Sequence, residues 1–580
     1  MKFSLFSSSL TLLASFAGCL ALKPGPLDEN PLRNFQVTPP LALPEGPGVR
    51  KCTIPLVHHN FAFSFGLPAV VDYTPPTACG RPGAWSAITL NFTATSNGTQ
   101  FDRLSSVYLN AVEIWRTSTP EPTSLGIIWT ALKDVSHYTA LFSRPGTLVL
   151  DLANLLDASL GLTGEYDVRL SATFYPSSAT HRPHIGADLI FPLSKGNATG
   201  ASLFSVPPQA ATVLTLPCNT AQMFVEIYAS GDQSEEFWYG NVPDEFFSQL
   251  PPWNAPDGQA NGHGPFREVQ LSIDGILAGI VFPYPVIYTG EFLPSIWRPM
   301  VSYGAFDSPT YYVDVSAFIP KLSDRLPHVF ALDVVGIGAN RTINSDWLMS
   351  GNVQIVLDAS KKPTTGRTTR YDVEPFAQVM VTGRVSGSAP DVTATTRAAR
   401  SLRIEGEVLT GSGRIVHYRW QQQASFTNTE TYVSNPSTGL ITQHVQQKSA
   451  GVSAGSLNGV NTVTDVFEYP LELTLTYNVL PSPDSQTFYD YGVNLDHSYN
   501  RELLSPMKEH ALRIDTQQKC NGTQVVPTRG ERDFTDWTHF GDLHIGNPGT
   551  WEALRAAGGG CHLREFDRRS AFFEPVERLV

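Results

Sequence analysis

Val269-Gln270-Leu271-Ser272-Ile273 runs into Asp274-Gly275 and then into the apolar stretch from Ile276 to Phe282. Apolar and polar residues alternate with the period of a strand, and Asp-Gly tolerates the positive φ that a two-residue hairpin turn needs. The segment therefore reads as a β-hairpin. The same grammar extends outward from about residue 48. Short runs of Val, Ile, Leu, Phe, Tyr and Thr are broken by Gly, Pro, Asn and Asp, and no long stretch before residue 360 carries a 3.6-residue apolar period. The expectation is a mainly β chain.

A short internal repeat suggests how the strands are grouped. A polar run containing Asp102 leads into Val107-Tyr108-Leu109, followed by Leu150-Asp151-Leu152 and the strand Tyr166 to Phe174. An acidic run containing Glu236 leads, after an insertion, into Val269 to Ile273, followed by Val313-Asp314-Val315 and the strand Val329 to Val335. Two similar β-sandwiches side by side would produce this pattern. The expected organisation is a signal peptide (1–21), a Pro-rich arm (22–47), a first β-sandwich (48–200) and a second (201–360). A Thr/Arg/Ser-rich linker (361–400), open to proteolytic cutting, and a C-terminal β-rich domain (401–580) follow.

Composition bounds the function. The chain has 580 residues, a formal net charge of −13, 42% hydrophobic and 16% charged residues, enough apolar material for sizeable cores. The acidic balance argues against nucleic acid as a partner, and protonation at low pH would bring the net charge toward zero. Met1-Lys2 precedes an apolar, Ser-rich stretch ending near Cys19 and Ala21, as in a secretory signal peptide cleaved near Ala21, and no later stretch is apolar enough to span a bilayer. Asn91, Asn97, Asn197, Asn340 and Asn521 are N-glycosylation acceptors. A secreted glycoprotein, extracellular or in a secretory or vacuolar lumen, with no membrane anchor after cleavage, fits these features. Without Cys19, local disulfides Cys52–Cys79 and Cys520–Cys561 are expected, leaving Cys218 over.

Several catalytic signatures are absent from the sequence: GxSxG, a P-loop and HExxH. His181 with His184, and His539 with His544, read as ordinary histidines; no metal and no cofactor are expected. Carboxylates are the better candidates. Glu226 to Glu245 sets acids among aromatic rings, including Glu235-Glu236-Phe237-Trp238-Tyr239. An apolar ring beside a carboxyl raises its pKa, and aromatic faces stack on sugars; by composition alone the segment is a hairpin tip with a solvated acidic face. Asp102-Arg103 sits just before the Val107-Tyr108 strand, where a cation can hold the acid ionised.

Long ordered matches carry a resemblance. Phe101-Asp102-Arg103, Glu113-Ile114-Trp115-Arg116-Thr117-Ser118-Thr119-Pro120 and Lys133-Asp134-Val135-Ser136-His137-Tyr138 lie in the first part. Glu236-Phe237-Trp238-Tyr239-Gly240-Asn241, Gly264-Pro265-Phe266-Arg267-Glu268, Trp297-Arg298-Pro299 and Arg400-Ser401-Leu402-Arg403-Ile404-Glu405-Gly406 follow. From about residue 50 to 570 the chain resembles the peptide-N-glycosidase A family and, more distantly, bacterial peptide-N-glycosidase F. The resemblance implies two adjacent jelly-roll-like sandwiches with one carboxylate from each, Asp102 and Glu236, meeting at their interface. A further bacterial Glu has no counterpart; its position falls near Ser171.

The implied activity is hydrolysis of the amide joining Asn to the first N-acetylglucosamine of an N-glycan, releasing a glycosylamine and leaving Asp. N-glycosylated peptides and proteins would be the partners. Asp102 would act as the primary acid/base and Glu236 would orient the water or bind the first sugar, with Arg298 as a cleft cation and Trp238 and Trp297 as sugar-stacking rings. A glycoside hydrolase, or an inactive carbohydrate-binding sandwich, is the alternative. Association of two fragments would follow a cut in the linker.

Overall fold

The computed structural model describes residues 31–559, apart from 124, 198–199, 252–260, 388–390, 482–486, 509, 528–532 and 548–549, with no side chain described beyond Thr523. The expected signal peptide, Cys561, and the side chains of Asn197, His539 and His544 lie outside the described residues. The hairpin forms as its sequence requires: Glu268–Ile273 and Ile276–Val281 pair antiparallel, Ile273 faces Ile276, and Asp274 and Gly275 take φ of 49° and 76°. Asp274 also anchors the turn, accepting from the Val329 N–H at 2.9 Å.

Two sandwiches precede a long C-terminal sheet. In the first, the order Cys52–Phe61, Tyr166–Pro176, Trp85–Ser96, Ile127–Asp134 faces the order Ala69–Tyr73, Gly146–Leu152, Leu104–Leu109, Val112–Ser118. In the second, Leu189–Leu193, Asp346–Leu357, Thr220–Asp232, Tyr311–Asp314 faces Ala210–Thr215, Pro327–Val335, Glu268–Ile273, Ile276–Val281. Taken in chain order, the two jelly rolls have the same strand arrangement, so the repeat is structural.

Its register differs from the expected one. The Asp of Val313-Asp314-Val315 begins the turn Asp314-Val315-Ser316, which corresponds to the Asp134-Val135-Ser136 turn, not to Leu150-Asp151-Leu152. In each turn an Asp Oδ1 accepts the N–H of a Ser two residues on, at 2.8 Å for Asp134 and 2.9 Å for Asp314. Each Ser Oγ then accepts from a strand N–H, of Ile88 or Met223. Likewise Val329 to Val335 corresponds to Gly146–Leu152, and Tyr166–Pro176 to Asp346–Leu357. An apolar-Asp-apolar tripeptide is too common to fix register; the hydrogen-bonded Asp-x-Ser turn does.

Two boundaries are corrected. Leu189–Leu193 pairs with Asp346–Leu357, so the second sandwich begins before residue 201. Residues 361–400 are sheet rather than linker: Thr365–Val373 and Gln378–Ser386 both pair with Asp391–Leu409. The first of these strands is almost wholly exposed, so a β-rich but polar composition looked like a connector. The Pro-rich arm contributes Leu32–Asn34, which adds parallel to Ile127–Asp134, while Phe35 bridges Met300 of the second sandwich.

Among the described residues the C-terminal sheet has ten strands, from Thr365–Val373 to Thr550–Gly559. Along Ile415–Asn435 most of the alternate side chains are buried, and that face packs on the second sandwich: Ile404, Trp420 and Phe426 share one core with Val269, Phe282 and Val353. Cys52 and Cys79 form a disulfide, Cys520 is buried, and Cys218 is a free thiol. Asn97, Asn340 and Asn521 are exposed, and Asn91 is half-buried within Trp85–Ser96. Among the described residues, no helix is long and apolar enough to cross a membrane.

Candidate active site

The two jelly rolls offer equivalent loops. Asp102 lies in the crossing from Trp85–Ser96 to Leu104–Leu109, and Glu236 in the matching crossing from Thr220–Asp232 to Glu268–Ile273. Both carboxylates are half-buried, and the charge of Asp102 bears on Glu236 across the domain interface. The structure thus brings together the two acids singled out in the sequence.

Glu235 and Glu236 are adjacent but part company. Gln233, at φ 55°, turns the chain into two short 3-10 turns, Gln233–Glu235 and Trp238–Gly240. Glu235 points inward, where Arg267 Nη2 donates to it at 2.6 Å, Trp347 Nε1 at 2.9 Å and the Asn344 N–H at 2.9 Å. That carboxylate is fully engaged in holding the turn. Glu236 lies near enough to Asp102 for that charge to act on it.

A third acid, unmarked by any motif, completes the cluster. Glu291 is buried in the loop after Ile276–Val281. It accepts from the Tyr239 hydroxyl at 2.5 Å and from the Tyr288 N–H at 2.9 Å. Gly290 beside it packs so tightly on Asp102 that a Cβ there would collide with Asp102 Oδ1. The sequence signal was Tyr288-Thr289-Gly290-Glu291, a lone acid after glycine in an aromatic run.

Burial pushes all three carboxyls above their ordinary values. For Glu236 the rise is large, and the charges of Asp102 and Asp232 add to it. Glu291 rises well above the usual range through burial and then the charge of Glu236. Asp102 rises less steeply, because backbone N–H groups at Gly290 and Thr289 and the Arg103 guanidinium favour its charged form. Asp232 is pushed up to about 6 by burial and by Asp346. At mildly acidic pH such a group holds protons that isolated carboxyls would lose, so acid and base forms coexist within one site.

Arg103 donates to Gln100 Oε1 at 2.8 Å and has a buried Nε without a hydrogen-bond partner. Arg298 is half-buried and donates to the Glu121 carbonyl at 3.1 Å, bracing the segment that follows Thr119. Trp238 and Trp297 do not offer stacking faces. At 3% and 1% exposure they are core residues: Trp238 packs on Trp347, and Trp297 Nε1 donates to the Glu291 carbonyl at 3.0 Å. On the second jelly roll, rings that reach solvent near Glu236 include Phe237, 37% exposed, and its half-buried neighbour Phe292, with centroids 5.6 Å apart. The C-terminal sheet backs the site: Asn428 Nδ2 donates to the Tyr239 carbonyl at 2.8 Å. Among the described residues, no group of three or more His, Cys, Asp or Glu is arranged to hold a metal ion.

The family described as Peptide N-acetyl-beta-D-glucosaminyl asparaginase amidase A matches residues 40–374, and a PNGase_A C-terminal domain matches residues 393–471. The chain is 33% identical over 411 residues to Peptide-N4-(N-acetyl-beta-glucosaminyl)asparagine amidase A of Prunus dulcis, covering 68% of each chain. A structure of PNGase F, a glycosylasparaginase from Flavobacterium meningosepticum, aligns with 53% of this chain and 96% of its own at 14% identity and a TM-score of 0.33. A peptide-N(4)-(N-acetyl-beta-D-glucosaminyl) asparagine amidase structure aligns with 53% and 98% at 16% identity and a TM-score of 0.31.

Proposed function

The chain belongs to the peptide-N-glycosidase A family, and from that premise we propose that it hydrolyses the side-chain amide joining Asn to the first N-acetylglucosamine of N-glycans on peptides and proteins. The observation that carries the proposal is the meeting of Asp102 and Glu236, one from each jelly roll at equivalent loops. In the proposed reaction a water adds to the Asn carbonyl carbon. Its proton passes to Asp102 in the base form, and the Arg103 guanidinium offers a donor to the carbonyl oxygen as it gains charge. The carbon–nitrogen bond then breaks, the leaving nitrogen takes the proton from Asp102, which returns to its base form, and the products are a peptide with Asp at that position and a glycosylamine. Glu236, held largely protonated by its surroundings, binds the first sugar and orients the water. Phe237 and Phe292 take the stacking role expected of Trp238 and Trp297.

We place the enzyme in a secretory route. The Cys52–Cys79 disulfide suits an oxidising compartment, and exposed Asn97, Asn340 and Asn521 suit a glycoprotein. The test is mass spectrometry of a defined N-glycopeptide incubated with the protein in heavy-oxygen water. A sugar-free peptide with Asp at the former Asn, carrying one solvent oxygen, is expected. A peptide that keeps one N-acetylglucosamine would make the protein a glycoside hydrolase, and an untouched but bound glycopeptide would make it a binding protein.

A further inference from the structure

Beside the acids, on the first jelly roll, stands an apolar loop that the proposed chemistry does not use. Phe63, Phe65 and Leu67 are 65%, 59% and 65% exposed at the tip of the turn between Cys52–Phe61 and Ala69–Tyr73. No charged residue occurs from Phe61 to Val71. Exposing three large apolar side chains in five residues is unfavourable for a surface with no partner, and such patches mark interaction sites.

The loop is held in place. Ser64 is buried between the exposed rings; its Oγ donates to the Leu152 carbonyl at 2.7 Å and accepts from the Asn154 N–H at 2.9 Å. Asn154 Nδ2 donates to the Phe61 and Gly164 carbonyls, both at 3.0 Å. The Gly164 carbonyl also accepts from Gln100 Nε2 at 3.2 Å, and Gln100 Oε1 accepts from Arg103. One hydrogen-bonded chain therefore fixes the base of the loop to the Asp102-Arg103 segment. The Phe65 ring also lies by Arg103, its centroid 5.8 Å from Arg103 Cζ.

We propose that Phe63, Phe65 and Leu67 form the peptide-side subsite of the active site, taking apolar side chains that flank the glycosylated Asn. This rests on the glycoamidase function proposed above. A bound glycopeptide has two chemically distinct halves. The sugar needs hydrogen-bond acceptors around an aromatic face, and these cluster on the other side, where Glu236 and Glu291 sit with Phe237 and Phe292. An uncharged rim of two Phe and a Leu has little to offer sugar hydroxyls and suits Leu, Val or Phe of a polypeptide.

The experiment compares two glycopeptides that carry the same glycan, one with Leu and Phe beside the glycosylated Asn and one with Asp and Lys. The wild-type protein should show a kcat/KM about tenfold higher for the apolar peptide, the scale of one or two apolar contacts in a pocket. In F63S/L67S that ratio should fall toward one while the melting temperature stays at the wild-type value, because both side chains are exposed; F63L should retain the preference. An equal rate on both peptides for the wild type, or an unchanged ratio in F63S/L67S, would overturn the proposal. Loop-dependent binding to phosphatidylcholine–phosphatidylserine vesicles with an unchanged ratio would overturn it in favour of a membrane surface. Cleavage of neither peptide would instead remove the glycoamidase function itself, and the subsite with it.

Discussion

The charge of Asp102, on the first jelly roll, raises the pKa of Glu236 on the second. Neither acid has that environment without the domain interface. Removing the Asp102 charge should therefore have two effects. Asp102→Asn should reduce kcat by at least about a hundredfold, the low end for loss of a general base, and should lower the pKa of Glu236. Carboxyl NMR of Glu236 in the two proteins checks the second effect. An unmoved Glu236 titration would show that the two groups do not interact.

The pH profile of kcat/KM should be bell-shaped, with inflections that belong to the coupled carboxyls rather than to one residue. Burial lifts Asp102 and Glu236 above ordinary carboxyl values. Activity should thus be lost as the pH rises through the raised value and the acid partner loses its proton. The falling limb should lie above the range of free Asp and Glu. A profile already flat and maximal from the ordinary carboxyl range upward would contradict the assignment of Glu236 as a protonated group.

Adjacent acids should separate cleanly under mutation. Glu235→Gln leaves the buried Arg267 without its charged partner and should cost about 3–5 kcal/mol of stability, seen in thermal or denaturant melts. Glu236→Gln should barely move the melting transition and should instead depress turnover. The reverse pattern would exchange the two roles.

Local and tertiary signals explain what the sequence disclosed. The hairpin at Val269 to Phe282 was legible because a period of two and an Asp-Gly turn act over a few residues. The first half of the strand Asp391–Leu409, before residue 401, was hidden because small residues, Ala394 and Ala398, occupy its buried face, which is covered by other parts of the fold. Trp238, two residues after Glu236, and Trp297, beside Arg298, were expected to be cleft walls, but an aromatic ring near a charged residue packs equally well as core, and only burial separates the two cases. Glu291 acquires its place from Tyr239 and from the charge of Glu236, both distant in the chain. Asp102 and Glu236 were found through an extended resemblance; composition alone pointed to surface acids.

Glu291 gives a stability test with a definite sign. Its folded pKa lies above the ordinary Glu value, so the native state keeps this proton when the unfolded chain has lost it. Stability from this group is full in acid and declines as the pH rises from the ordinary Glu range to the raised value. Glu291→Gln removes the decline. The amide carbonyl can still accept from the Tyr288 N–H, and its NH2 can donate to the Tyr239 oxygen. The variant should melt like the wild type in acid and be more stable at neutral pH by about 1 kcal/mol or more. Parallel loss of stability in both proteins would mean that Glu291 does not titrate in this window.

The C-terminal sheet should matter for turnover as well as for folding. Asn428 is buried on Ile415–Asn435. Its Nδ2 donates to the Tyr239 carbonyl at 2.8 Å and to Gln447 Oε1 at 3.1 Å. Tyr239 in turn donates to Glu291 and sits three residues after Glu236, so this one amide braces the turn next to Glu236 and, through the Tyr239 hydroxyl, bears on Glu291. Asn428→Ala deprives a buried carbonyl of this partner, at a cost of about 1–3 kcal/mol. If the contact also sets the position of Glu236, kcat should fall on the order of tenfold to a hundredfold with a much smaller change in KM, since a small misplacement of a reacting group is enough to slow the reaction. Steady-state kinetics below the melting transition decide the matter: a lower melting temperature with an unchanged kcat would reduce the sheet to a structural support.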